Sequence, residues 1–232
     1  MRVLISAPRY VVVDKPSGLS VHKGWDASPD TVMRRLRADL GRWVYPVHRL
    51  DRATSGVLIM ALDPECAGVL SAAFREGRVE KEYVALVRGA LTEPGRVDHA
   101  IPSHVGGERV DAITDYAPLA IARERYTLVR AWPRTGKSHQ IRRHMKHLSR
   151  PLLGDTTYGD GKENRAMREQ IGLHRLALHA SSIAFPDPES GERVEASAPL
   201  PDDLRAPLER LGFAAELLDA IGASTPAGSA AV

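Results

Sequence analysis

The stretch HRLDRATSG, residues 48–56, sets one carboxylate, Asp51, between Arg49 and Arg52 and ahead of a tight polar turn; the apolar run VLIMAL follows at once. A carboxylate beside an arginine is favoured in its ionised form, its pKa lowered by about 1–3. A loop residue carried on a buried strand is also well placed to face a cleft. The same residues equally suit a turn in which Asp51, Thr54 and Ser55 satisfy backbone donors. An extended backbone can point Arg49 and Arg52 away from Asp51, so a basic helix further along is the better source of a partner.

That helix is RTGKSHQIRRHMKHLSR, Arg134 to Arg150, with six Lys or Arg, three His and no carboxylate. Gly136 and Ser138 open it, its first amides are free, and Lys137 and Arg142 lie in or near the first turn, an arrangement suited to phosphate. His139, His144 and His147 lack the i, i+4 spacing with an intervening Glu that zinc hydrolases use. On a basic, solvent-facing helix they meet water or phosphate, and no metal site is expected. Tyr83 sits on a strand face in KEYVALVRG. Core packing is the common fate of such a residue; a platform on which an extruded base stacks is the functional alternative.

The surrounding pattern supplies the elements that must hold these groups. RYVVVDKPSGLSVH reads as strand, turn, strand. DTVMRRLRADLG reads as a helix capped by Asp30 or Thr31 and ended by Gly41. VLIMAL has the continuous apolar character of a strand buried on both faces. DPECAGVLSAAFREG is a helix with Asp63 as cap and Pro64 at its first position. VEKEYVALVRGAL alternates as a strand with Tyr83, Ala85 and Val87 on one face. Residues 91–118 read as connections with short strands. ERYTLVRAWP is a further strand, and Ile141, Met145 and Leu148 form the apolar side of the basic helix. GDTTYGDGKENR is turn-rich, a strand surrounds LALHASSIAF, and helices fill PDDLRAPLERLGFAAELLDAIG. Strands and helices mix without a βαβ rhythm, so the expected class is α+β, with a mixed, largely antiparallel central sheet flanked by helices and loops.

Hydrophobic residues make up 43% and charged residues 26%, ordinary for a globular protein. Cys66 is the only cysteine, which excludes an intrachain disulfide. No apolar stretch approaches the ~18 residues of a membrane span, and no secretory cleavage pattern opens the chain; a cytoplasmic protein is expected. The net charge is +3, but from Pro186 onward nine Asp or Glu face three Arg, which leaves about +9 on the first 185 residues. A basic working surface with an acidic edge follows.

VVVDKPSGLSVH, HRLDRATSGVLIMAL, KEYVALVRG, TGKSHQIRRHMKHLSRPLLGDTTYGDG and LALHA occur in this order. Together they resemble the RluA family of RNA pseudouridine synthases, over residues 11 to about 186. The resemblance implies a pseudouridine synthase fold with a central RNA-binding cleft. It also implies an isomerase that detaches uridine from C1′ and rejoins it through C5 without cofactor or metal. Asp51 then matches the catalytic aspartate, Tyr83 the active-site tyrosine that stacks on the base and helps remove the C5 proton, and Arg142 the arginine paired with the aspartate. Arg49 matches a wedge left in the space of the flipped nucleotide, and Leu178 an apolar contact to uracil. Lys137, where arginine is commoner, retains the charge for phosphate. With His139, Arg143 and Lys146 it makes up the expected RNA-facing set.

The blocks are most similar to the TruC-type tRNA pseudouridine-65 synthases, with compact enzymes acting on a tRNA anticodon stem and 23S rRNA as the alternative. RNA is thus the expected partner, tRNA first and rRNA second, with no membrane and no obligate protein partner. Residues 1–222 are expected to form a single catalytic domain without an N-terminal S4 domain, and 223–232 a disordered tail.

Overall fold

A computed structural model of the chain describes residues 1–23, 30–103 and 107–223. Along the chain run Arg2–Ser6 (β1), Tyr10–Lys15 (β2), Val32–Leu40 (α1), Tyr45–Pro46 (β3), Ser55–Ala61 (β4), Pro64–Arg75 (α2) and Glu80–Arg88 (β5). Then come Gly95–Asp98 (β6), Ile101–Pro102 (β7), Arg109–Val110 (β8), Ile113–Ala122 (β9), Tyr126–Pro133 (β10) and Gln140–His147 (α3). Gly161–Ile171 (α4), Leu178–Pro186 (β11), Arg193–Ser197 (β12), Asp202–Leu211 (α5) and Ala215–Asp219 (α6) complete it. Except for Ala223, the expected disordered tail lies outside the described residues.

Ten strands form one sheet, ordered β1-β2-β4-β11-β5-β10-β9-β6, with β12 beside β11 and β3 beside β4; β7 and β8 pair separately. The pairing of β4 with β11 is parallel, and the other named pairings are antiparallel. The α+β class with a mixed, largely antiparallel sheet is therefore correct. No helix among the described residues is long and apolar enough to cross a membrane.

Alternation sorts the side chains to two faces. Val57, Ile59 and Ala61 of β4 pack with Cys66 and Leu70 of α2, while Leu58 and Met60 pack with Val32 and Leu36 of α1. In β5, Val84 and Leu86 join Met167, Leu204 and Leu208 of α4 and α5. Ala85 and Val87 instead meet Ile141 and Met145 of α3. Tyr83 packs against both the α1 cluster and the α3 cluster, at the seam between them.

The caps follow the sequence. Thr31 Oγ1 accepts from Arg34 N–H at 3.2 Å, Gly41 closes α1 in the left-handed region, and Asp63 caps α2 through Cys66 N–H at 2.8 Å.

Four expectations need correction. The second strand after KPSG does not form. Ser20 and Val21 carbonyls accept from Val32 and Met33 N–H, so that segment seats the start of α1 rather than joining the sheet. The region read as connections contains the start of β9, a ten-residue strand. GDGKENR opens α4, because Asp160 caps it through Lys162 and Glu163 N–H. Finally, the basic helix begins at Gln140 and is not solvent-facing throughout. His144 is fully buried; its Nε2 donates to His99 O at 3.0 Å and its Nδ1 accepts from Thr114 Oγ1 at 2.8 Å.

Candidate active site

The parallel pair sets Ser55 opposite His179 and Gly56 opposite Ala180, so β4 and β11 start side by side. Gly56 has φ +110°, and a Cβ there would stand 2.1 Å from Ala180 O, which explains a glycine at this contact. Ser55 Oγ accepts from Arg175 Nη2 at 2.7 Å and donates to His179 Nδ1 at 2.8 Å. His179 Nε2 donates to Ala198 O at 3.0 Å, and burial pushes this imidazole down to about 4, so it stays neutral. Two motifs far apart in sequence, TSG and LHA, are thus locked together beneath the loop that carries Asp51.

The loop itself is pinned at each end. His48 Nε2 accepts from Ile59 N–H at 3.0 Å and its ring stacks on Phe74 at 4.6 Å. Burial, with Lys81 nearby, pushes His48 down to about 3, which keeps that nitrogen an acceptor. Asp51 O accepts from Thr54 N–H at 3.0 Å and closes the turn. Beneath it, the fully buried Lys15 donates to Leu19 O at 2.8 Å, Pro16 O at 2.9 Å and Arg52 O at 3.2 Å. Burial and the charge of Arg175 push this ammonium down to about 7, while Asp51 pulls it up.

With the loop fixed, the Asp51 carboxylate meets α3. Arg142 Nη1 donates to Asp51 Oδ2 at 3.0 Å across 91 positions of sequence. The guanidinium is itself held by Asp155, Nε to Oδ2 at 2.7 Å and Nη2 to Oδ1 at 2.8 Å. This bidentate fork fixes both the position and the plane of Arg142. Asp155 Oδ1 also accepts from Thr157 and Tyr158 N–H at 2.9 and 3.0 Å. Burial works against its charge, but Arg142 and these amides hold Asp155 below the usual carboxylate range.

His139 lies on the other side of Asp51, with Nε2 3.7 Å from Oδ1 and φ of 55° in the left-handed region. Tyr158 Oη accepts from Arg143 Nε at 2.8 Å, so its proton goes to His139 Nδ1 at 3.1 Å. In the neutral imidazole this leaves the Nε2–H turned toward Asp51. One oxygen of Asp51 is therefore tied to Arg142, and the other stands beside His139 in the cleft lining, beyond hydrogen-bond distance of it.

That cleft has a volume of about 600 Å³. Among its described lining residues Asp51 is the one carboxylate, against Arg49, Arg75, Lys81, Arg134, Lys137 and Arg142. Tyr83 and Leu178 also line it. Burial, with the charge of Asp51, raises the Tyr83 phenol far above its ordinary value, so it stays protonated. Lys81 Nζ donates to Thr135 O at 3.2 Å, and burial pushes it down to about 8. A cationic wall with one carboxylate at its floor suits an anionic polymer whose target group enters the cleft.

Residues 9–147 match the family model for RNA pseudouridylate synthase. The chain belongs to the RNA pseudouridylate synthase family. It is 41% identical to tRNA pseudouridine synthase C of Pasteurella multocida, over 84% of this chain and 89% of that one. With the protein of the same name from Vibrio parahaemolyticus it shares 38% identity, over 90% and 94%. Among solved structures, human RNA pseudouridylate synthase domain containing 4 superposes with a TM-score of 0.74 at 27% identity, covering 90% of this chain and 92% of that one. The chain is accordingly an enzyme of the pseudouridine synthase class of isomerases.

Of the residues singled out in the sequence, the cleft brings together Arg49, Asp51, Tyr83, Lys137, His139, Arg142 and Leu178. Arg49 is exposed at its rim, with no hydrogen bond or ion pair to another described residue. Arg143 and Lys146 are not brought in. Arg143 donates to Tyr158 Oη and to Pro102 O, and Lys146 is exposed away from the lining. The open helix terminus also needs revision, because Gln140 Oε1 accepts from Lys137 N–H at 3.0 Å and occupies one of the amides reserved for phosphate.

Asp155, Tyr158 and Lys15 were missed as parts of this pseudouridine synthase site. Their signals were present: Asp155 and Thr157 form an Asx turn, and a lysine ending a strand of four buried apolar residues must itself satisfy its charge. Lys15→Met should leave the Pro16 and Leu19 carbonyls without their donor, with Arg52 O keeping only Gly18 N–H, and loosen the Asp51 loop. The expected result is a kcat lowered roughly 10²-fold with little change in KM, alongside a lower Tm. Steady-state kinetics at wild-type kcat would contradict that positioning role.

Proposed function

We propose that this enzyme converts a uridine of tRNA, the one at position 65, to pseudouridine in the cytoplasm, with no protein partner required. The observation that carries the reading is Asp51, the single carboxylate among the described residues lining a cationic cleft, tied to Arg142 at 3.0 Å. The bacterial relatives, named tRNA pseudouridine synthase C, support tRNA as the substrate.

In this reading the target nucleotide leaves its stack at a cost of a few kcal/mol. The exposed Arg49 fills the space it vacates, and Lys137 faces the backbone at the rim, while His139 stays against Asp51. The base enters between the Tyr83 ring and the apolar wall at Leu178. Asp51 acts through the oxygen that Arg142 leaves open. Tyr83 acts through its ring, because a phenol that stays protonated is a poor proton acceptor; the C5 proton passes to Asp51 or through water. A second carboxylate for hydrolysis is missing from the described lining, since Asp155 spends both oxygens on Arg142 and backbone amides. Arg143 and Lys146 fall outside the cleft and are left to RNA beyond the target.

Stacking on an aromatic ring is worth about 1–3 kcal/mol per base, so Tyr83→Leu should lower kcat/KM roughly 5- to 150-fold while Tm changes little. An unchanged kcat/KM would remove the ring from the reading. The substrate is tested by incubating the purified protein with unmodified tRNA transcripts and with 23S rRNA transcripts, then mapping pseudouridine in each. Modification at position 65 of tRNA is expected. Modification confined to rRNA would overturn the tRNA reading.

A further inference from the structure

Outside the cleft, the largest exposed apolar group among the described residues is Trp43, 65% exposed in the connection between α1 and β3. Its indole is not loose. The Arg37 guanidinium lies over one face, 4.0 Å from the ring centroid, and Arg37 Nη2 is fixed to Val44 O at 3.3 Å. Arg37 Nε is buried with no hydrogen-bond partner, so the stack on Trp43 is what this guanidinium gains in place of full hydration. One indole face is thus braced from behind and the other is open to solvent.

The setting is basic. From Asp30 to Arg49 there are five arginines against two carboxylates, Asp30 and Asp39. Asp30 is already paired with Arg35 at 2.6 Å, and Arg42 is exposed beside Trp43 with one nitrogen on Leu62 O at 3.2 Å. The chain links this surface to the cleft. From Trp43 the chain runs through β3 directly to Val47, His48 and Arg49 of the lining. Six residues of extended chain reach at most about 20 Å, so Trp43 stands within the length of a few nucleotides of Arg49.

We propose that Trp43, braced by Arg37, is a second RNA contact: a platform on which a base freed from its pair beside the flipped target stacks, with Arg42 facing the adjoining phosphate. This rests on the proposed RNA reaction and adds to it a site that holds a neighbour rather than the reacting nucleotide. An open aromatic face within a cationic surface is the combination that recognises single-stranded nucleic acid, because every base presents a π-face. Trp43 touches no reacting atom, so its contribution is to binding.

Trp43→Ala and Trp43→Phe are compared by fluorescence anisotropy, each in the Asp51→Asn background so that binding is read without turnover, on a tRNA transcript. The same substitutions in the active enzyme give kcat and KM, and thermal melts check the fold. Trp43→Ala should weaken Kd and raise KM about tenfold or more, leave kcat at saturating RNA unchanged, and lower Tm only slightly, by the lost Arg37 stack. Trp43→Phe should keep most of the affinity. The slope of log Kd against log salt should not change, because no phosphate contact is removed. Wild-type affinity in Trp43→Ala, or equal losses in Trp43→Ala and Trp43→Phe, would overturn the platform. Because binding is read apart from turnover, a protein that fails to isomerise uridine sinks the proposed reaction, while Trp43 is still judged by its Kd.

Discussion

Asp51→Asn abolishes pseudouridine formation, by at least roughly 10³-fold, while RNA binding persists. The expectation follows from how little else Asp51 does. Among the described residues its side chain makes one hydrogen bond, to Arg142, with His139 Nε2 3.7 Å from its other oxygen, whereas the turn that carries it is closed by its backbone carbonyl and the loop is held by His48 and Lys15. Asparagine keeps the shape and can still accept from Arg142, so the fold has small reason to fail. What it loses is the anionic oxygen that Arg142 leaves open. Removing a group that itself reacts has effects of this scale or larger. Because one negative charge is also lost from a cationic cleft, affinity for RNA should hold or rise. The check is a paired measurement of single-turnover rate and Kd; residual turnover near wild type would show that another group does the chemistry.

Asp155→Ala, by contrast, should damage the fold and the reaction together. Asp155 is fully buried and supplies both oxygens to Arg142. Removing one partner of a buried pair costs about 3–5 kcal/mol, and because Asp51 still balances part of the Arg142 charge the lower end is expected, still a large part of the stability of a domain. Denaturant titration measures this directly. Asp155→Asn is the gentler variant: it keeps one acceptor and the side-chain volume, so it separates aim from folding. Here Arg142 loses the fork that fixes its plane, and kcat should fall roughly 10²-fold even where the protein is folded.

The pH dependence has a definite sign. The folded-state pKa of Asp155 lies below the unfolded value, so its stabilisation is fully present above the usual carboxylate range of about 4. It is lost as pH falls through the lower folded value. The stability gap between wild type and Asp155→Asn should therefore close on acidification and stay constant through neutral pH. A gap that widened toward low pH would contradict the ionised pair.

These two residues also mark what the sequence could convey. HRLDRATSG announced its turn because Asp, Thr, Ser and Gly act on their own backbone, over a few residues. The β4 run announced its burial because no polar residue interrupts Val57 to Leu62. Caps at Thr31 and Asp63 were legible for the same local reason. Asp155 was legible as a turn residue and opaque as an anchor, since its second partner is Arg142, fixed only when α3 folds back against the loop. His144 was misread because a polar side chain in a basic helix looks solvated until β9 brings Thr114 to it. The parallel match of Ser55 with His179 spans 124 positions, and no local pattern encodes it. Residues 161–171 were overlooked because GDG reads as turn, although Asp160 is placed to cap a helix.

The most direct test of the central claim is tritium release from a tRNA transcript labelled at C5 of uridine, followed by nucleoside analysis of the same RNA. Isomerisation at the Asp51 cleft replaces the C5–H bond with a bond to C1′. Each tritium released by the wild-type protein should therefore be matched by one pseudouridine in an intact chain, and the Asp51→Asn protein should release none. Tritium retained in the RNA, or free uracil released from it, would contradict the account.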